Sequence, residues 1–342
     1  MSFKVLLYPE MKITYLIGAK KNPLYEDNFK INGRYLTFGH HSFCYDLVVD
    51  LQKRVVELEV LTDDLDVFPL TDVFGELNVN IKSVDAVANI VADLIIIDSV
   101  SDVLLSHIEM RGLKVGIIHD YMKFQSALFY SFCDKIICLT ETAKQRQSTA
   151  VDASKILVIT QGIDLNRFTK AEPSGSRSAL IYSRMDTHKG SIYIPIIDKL
   201  IENNFSINVL GSGKYFDYIA EKYKNGLTCH PHIPCYEIQD FVKRFDLIIS
   251  NGRGVMEGMA SGKPTIAAGV RYCGLLDHNN IEFFFERNFT GSNSIYTVEK
   301  MDEDLNFISN HTPEYFRLLA EKYFDVSGFT EKLLALRTVV AI

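Results

Sequence analysis

Ile249-Ser250-Asn251-Gly252-Arg253-Gly254-Val255-Met256-Glu257-Gly258-Met259-Ala260-Ser261-Gly262-Lys263-Pro264 reads as strand, loop, helix and stop. The apolar run Leu247–Ser250 ends in a loop with two glycines. A short helix follows, with Val255, Met256, Met259 and Ala260 as its apolar stripe, and Gly262 and Pro264 close it. Pro264–Ala267 then begins another apolar run. Backbone N–H groups left open at such a helix start point along its axis and form an anion site. Glu257 lies off the stripe in the first helical turns. A carboxylate there gains about 0.3–1 kcal/mol from the helix dipole, and it could also accept two hydrogen bonds from a vicinal diol such as a ribose.

Similar units extend in both directions. Phe3–Tyr8, Val55–Leu61, Ala92–Asp98, Lys114–His119, Lys135–Thr140 and Ile156–Thr160 read as strands of a first half. Ala179–Ser183, Ser206–Leu210, Leu227–His230, Leu247–Ser250 and Pro264–Ala267 read as strands of a second. These runs are almost continuously apolar rather than alternating, as parallel strands covered on both faces are. Helical spacing separates them, as in Gly190–Asn203, Tyr215–Lys224 and Glu237–Phe245. Strand alternating with helix, twice over, predicts two doubly wound α/β domains, a division that 342 residues readily accommodate. The polar, breaker-rich stretch Arg167–Ser178 reads as the linker, which gives domains of residues 1–168 and 177–327. Phe324–Gly328 breaks a helix over Tyr315–Tyr323. Phe329, Leu333, Leu336 and Val340 then recur at helical spacing, a stripe that needs a partner.

Composition narrows the function. Apolar residues make up 47% and charged residues 23%, the mix of a globular chain. A net charge of −7 argues against a general nucleic-acid binder, which needs a basic face. No apolar run approaches a membrane span, since even Ala92–Ile97 is interrupted by Asp93, and Met1–Pro9 is too short for a signal peptide. A soluble, cytoplasmic protein is expected. The six cysteines lie mostly in strand-like contexts as small hydrophobes. Cys229-His230-Pro231-His232-Ile233-Pro234-Cys235 offers zinc-ligand types but lacks two separated knuckles, and reads as a strand end entering a loop. Asp64-Leu65-Asp66 reads as a polar loop, and His40-His41 as a loop pair without a message. Lys20 and Lys21 could meet an acceptor phosphate or an anionic membrane surface; solvated lysines are the simpler reading.

A second element carries chemistry. In Ile181-Tyr182-Ser183-Arg184-Met185-Asp186-Thr187-His188-Lys189-Gly190 a strand ends at Ser183 and a cation follows at once. A second cation stands where Gly190 opens a helix. Ligands of α/β sheets lie beyond the carboxyl ends of strands, so Arg184 and Lys189 are placed to clamp a phosphate or diphosphate.

Five elements in order resemble GT-B nucleotide-sugar glycosyltransferases, in particular the retaining family 4. Glu257-Gly258-Met259-Ala260-Ser261-Gly262-Lys263-Pro264 resembles the Glu-Ala-Met-Ala-x-Gly-x-Pro signature. Arg184–Gly190 resembles the Gly-Arg-Leu-x-x-x-Lys-Gly element, and Gln161–Phe168 the Asn-Gly-Ile-Asp-x-x-x-Phe stretch that closes the first domain. Leu210-Gly211-Ser212-Gly213 resembles the glycine pair after the next strand, and Gly116–Asp120 the strand end that carries a histidine at the donor sugar.

The resemblance implies two Rossmann-like domains facing each other across a cleft, the last helix (about 328–342) packing back on the first. It implies a metal-independent hexosyltransferase that moves a sugar, with retention, from a nucleoside diphosphate sugar to the hydroxyl of a glycan, lipid-linked or other acceptor. No cofactor is implied, and peripheral membrane contact fits such acceptors. Arg184 and Lys189 would hold the diphosphate and stabilise the leaving group, Glu257 the ribose, and His119 the donor sugar. Gly211, Gly213, Gly252, Arg253 and Gly254 would complete the donor site. The family's second glutamate, eight residues before Glu257, is replaced by Ile249, and the loop Asn251–Gly254 is shortened. Gly258 stands where the family has alanine. The alternatives are a GT-B nucleotide-sugar epimerase, which needs acid/base carboxylates, and a non-catalytic sugar-nucleotide or glycan-binding protein, which the change at Ile249 suggests.

Overall fold

The computed structural model describes residues 8–18, 30–31, 34–35, 39–66, 68–119, 124–186, 189–230 and 232–340. Lys20, Lys21, Asp120, Thr187, His188, Pro231 and all but the last residue of the expected strand Phe3–Tyr8 lie outside them. The chain forms two compact units, one of Met1–Gly162 with Val326–Ile342, the other of Ile163–Asp325.

The first unit begins with β1 (Tyr8–Ile17), the short pair β2 (Lys30–Ile31) and β3 (Arg34–Tyr35), and α1 (Gly39–Gln52). It continues with β4 (Val55–Thr62), α2 (Thr71–Glu76), β5 (Asn80–Ser83), β6 (Asn89–Asp98), α3 (Asp102–His107) and β7 (Glu109–Ile118). Then come α4 (Ala127–Phe132), β8 (Lys135–Cys138), α5 (Glu141–Gln147) and β9 (Ile156–Val158). Its seven-stranded sheet has the order β5-β4-β1-β6-β7-β8-β9, with every neighbouring pair parallel. The order reverses between β1 and β6, the switch point where doubly wound sheets bind ligands. The buried runs explain the assembly: Leu94–Asp98 has no residue turned to water, so both faces of β6 need covers.

The second unit holds β10 (Ser178–Arg184), α6 (Tyr193–Glu202), β11 (Ser206–Ser212), α7 (Lys214–Lys222), β12 (Leu227–His230), α8 (Ile238–Val242) and β13 (Leu247–Ser250). It continues with α9 (Arg253–Ala260), β14 (Thr265–Ala268), β15 (Tyr272–Leu275), α10 (Ile281–Phe285), α11 (Met301–Ile308) and α12 (Pro313–Tyr323). The sheet order is β12-β11-β10-β13-β14-β15, parallel except for the antiparallel β15. Two apolar clusters cover its faces. Ile248, Met256, Met259 and Phe324 belong to one, and Ile181, Ile197, Ile249 and Ile266 to the other.

Three sequence expectations change. The first described strand runs through Tyr8-Pro9-Glu10 to Ile17, well past the expected end at Tyr8. The stretch Arg167–Ser178 is part of the second unit and is tied down there. Ala171 N donates to Ser261 O at 3.0 Å, Lys263 Nζ to Glu172 O at 3.1 Å, and Ser174 and Ser178 bond the Asp246 carboxylate. Ile163 and Phe168 are likewise buried in the second unit's core. His40 and His41 are no loop pair: both lie buried in the first turn of α1.

The final helix, α13 (Val326–Val340), packs on α1 and β6 within the first unit. Phe329, Leu333 and Leu334 are buried, and the Phe329 ring meets Phe43 edge-on at 5.1 Å. Arg54 joins the two helices, bonding Asp50 at 2.9 Å and Glu331 at 3.2 Å.

Candidate functional site

Each unit gathers polar side chains where its strand order reverses. In the first, β1 and β6 end side by side, and Gly18 N donates to Asp98 O at 3.0 Å. A Cβ on Gly18 would sit 2.1 Å from the Ser99 carbonyl oxygen, so only glycine permits this approach. Asp98, the last residue of β6, is fully buried. Its carboxylate accepts from Tyr15 OH at 2.7 Å and Ser99 Oγ at 2.9 Å. It also lies 3.0 and 2.9 Å from His119 Nε2. His119 immediately follows β7, and its side chain keeps 17% exposure. The Phe43 ring meets it edge-on at 5.1 Å, and the His40 ring lies 6.4 Å away. Burial, then the Asp98 charge, push the Tyr15 phenol well above its usual range, so it stays a donor.

In the second unit the reversal lies between β10 and β13. Ser250 Oγ donates to Tyr182 O, and Asn251 Nδ2 donates to Ser183 Oγ at 2.6 Å and to Tyr193 OH at 3.0 Å, which ties the two strand ends together. Arg184 is the exposed last residue of β10, its Nη2 3.3 Å from Asp186 Oδ2. An ion pair with this exposure contributes little and can exchange for a stronger anion. Lys189 lies in the turn that Gly190 continues, and both backbone amides donate to Asp186 O, at 3.2 and 2.9 Å. Gly211 and Gly213 stand at the end of β11 and the start of α7, where Met185 N donates to Ser212 O at 2.8 Å.

Gly252 precedes α9 with φ +55°, a left-handed conformation that favours glycine, and starts the helix. Every residue of α9 is buried, Glu257 included, so the carboxylate expected off the apolar stripe is withdrawn from the surface. It lies 3.6 Å from Arg253 Nε, and burial followed by the Glu257 charge raises the Tyr182 phenol well above its usual range. Gly254 packs where a Cβ would come 2.2 Å from Ser250 Oγ. Ile249 is buried in mid-sheet beside Ile181 and Ile266, so the position eight residues before Glu257 offers no side chain to a ligand.

The structure thus brings Arg184, Lys189, Gly211, Gly213, Gly252, Arg253, Gly254 and Glu257 to the loops and helix starts at one end of the second sheet, and His119 to that end of the first. The sequence reading passed over Asp98, Tyr15, Ser99 and Asn251. Asp98 carried a signal, as a carboxylate closing a buried strand. Among the described residues, no three His, Cys, Asp or Glu side chains cluster as metal ligands. His230 Nε2 instead lies 2.7 Å from Asn208 Oδ1, and Asp64 Oδ1 accepts from Asp66 N at 3.1 Å. Among the described residues, no helix is long and apolar enough to cross a membrane.

No protein-family model and no curated protein matches the chain. Solved structures do. HepE of Anabaena, solved with UDP and glucose, is 15% identical over 97% of this chain and 100% of its own, with a TM-score of 0.63. A glycosyltransferase of Rickettsia africae is 13% identical over 97% and 99%, also at 0.63. The UDP-GlcNAc 2-epimerase of Neisseria meningitidis, solved with UDP-GlcNAc, is 12% identical over 97% and 100%, at 0.51. The chain has the GT-B fold of these proteins, two Rossmann-like α/β units with mainly parallel sheets.

Proposed function

We propose that the protein is a glycosyltransferase resembling family 4, transferring a sugar from a nucleoside diphosphate sugar to an acceptor hydroxyl with retention and without a metal. What supports this reading is that β10, which ends at Arg184, and β13, which leads into α9, are neighbours where the second sheet reverses its strand order, with Lys189 in the turn that follows β10. Negative charge grows on the diphosphate as the glycosidic bond breaks. Cations and a helix start beside the diphosphate stabilise that charge, and electrostatic stabilisation of this kind supplies most of the barrier lowering in many such reactions. Arg253, at the first position of α9, adds a cation there. Glu257 is assigned to the ribose, as the resemblance implies. His119 is assigned to the donor sugar, so His119→Ala is expected to lower turnover far more than affinity for the bare nucleoside diphosphate.

HepE, solved with UDP and glucose, supports UDP-glucose as the first donor to try. A panel of nucleoside diphosphate sugars, read by thermal shift, tests the reading. A donor at a hundred times its Kd adds about 2.7 kcal/mol of stability. A panel without any stabilising member would refute the proposal. A nucleotide-sugar epimerase is the second reading, favoured by the buried Asp98 carboxylate beside His119 and by the likeness to the 2-epimerase. It would convert the donor with no acceptor present.

A further inference from the structure

We infer that Asp98 is a positioning residue that holds His119 in the Nε2-protonated tautomer, leaving Nδ1 as a lone-pair acceptor for a sugar hydroxyl. The inference rests on the nucleotide-sugar reading above and specifies what His119 recognises.

The inventory of donors and acceptors fixes the proton. An ionised carboxylate only accepts, and both Asp98 oxygens lie within 3.0 Å of Nε2. The proton of a neutral imidazole is therefore on Nε2, and Nδ1 carries the free electron pair. Asp98 cannot swing away, because it is fully buried and Tyr15 and Ser99 occupy its other acceptor sites. Tyr15 remains protonated through burial, so it is a permanent donor. Ser99 adopts φ +57°, left-handed for a residue with a Cβ, directly after Asp98. Such strain is retained where surrounding structure needs it, here aiming the Ser99 hydroxyl at the carboxylate. Among the described residues, the groups facing the imidazole are Asp98 from β6 and, from α1, Phe43 and His40, with Tyr15 of β1 behind the carboxylate. An acceptor nitrogen suits a hydroxyl, which brings a proton, and mismatches a phosphate oxygen, which brings none.

The test is ¹⁵N NMR of histidine-labelled full-length protein between pH 7 and 9, with His119 assigned by its loss in His119→Gln. The wild type is expected to show a neutral ring protonated at Nε2. A ring protonated at Nδ1, or at both nitrogens throughout, would overturn the inference even if no Asp98 variant folded. In Asp98→Asn, whose amide can donate, the pure Nε2–H tautomer is expected to be lost; an unchanged spectrum would contradict the positioning role. Binding supplies the second arm. UDP-glucose is expected to bind the wild type more tightly than UDP by up to about tenfold, one hydrogen bond's worth. Asp98→Asn should erase that preference and keep the affinity for UDP. Should the wild type bind neither, the nucleotide-sugar reading fails, and the nitrogen spectra still decide the role of Asp98.

Discussion

Gly258→Ala separates helix propensity from packing. Alanine in a helix interior is worth about 1 kcal/mol over glycine, so an open site would be stabilised by that much. The site is not open. A Cβ at Gly258 would come 2.6 Å from Thr265 Oγ1 and 3.1 Å from Cβ and Cγ2 of Ile248. Both neighbours are fully buried in β14 and β13 and cannot retreat into water. Forcing a methyl into such a core costs about 1–3 kcal/mol. The sum is a net loss of about 1 kcal/mol, which urea unfolding followed by circular dichroism would resolve. Thr265→Ala removes the nearer obstacle, so the double variant should be more stable than the two single losses added, by about 0.5 kcal/mol or more. Stabilisation by Gly258→Ala alone would refute the close approach of α9 to the sheet.

The other expectations concern the last helix and one histidine. Phe329→Ala should cost about 3–5 kcal/mol through loss of a buried ring against Phe43, read as a fall in Tm. Deleting residues 328–342 should lower the Tm further, and an unchanged Tm would make the segment dispensable. His232 has its pKa lowered from 6.5 to about 4 by burial. The unfolded chain therefore takes up the proton first, and stability rises with pH from about 4 to 6.5 by about 3 kcal/mol. Unfolding of His232→Asn should lack that part of the acid slope, and an identical slope would show that the ring is solvated.

The second unit was more legible in the sequence than the first. Leu247–Ser250 occurs as a strand at the expected residues, because a parallel strand buried on both faces leaves an unbroken apolar run, and the only partly buried edge strand Leu227–His230 also occurs where expected. The continuation of β1 past Tyr8 was missed because Pro9, Glu10 and Lys12 interrupt such a run. α1 escaped because it is buried nearly all round and contains His40, His41, Asp46 and Asp50, so no apolar stripe marks it. β15 is short and antiparallel, outside the strand–helix alternation. The candidate cations could be read from their place after a strand. The burial of Glu257 could not, since it depends on α9 being covered by α12 and the sheet. Asp98 gains its meaning only when β6 and β7 pair and bring His119 to it.

The claim that the second unit holds a nucleoside diphosphate is tested most directly by calorimetric titration of UDP into the wild type, Arg184→Ala and Lys189→Ala. One charge-assisted contact is worth about 1.5–3 kcal/mol, so each variant should bind about 10- to 100-fold more weakly with its Tm unchanged. Wild-type affinity in both variants would contradict the account.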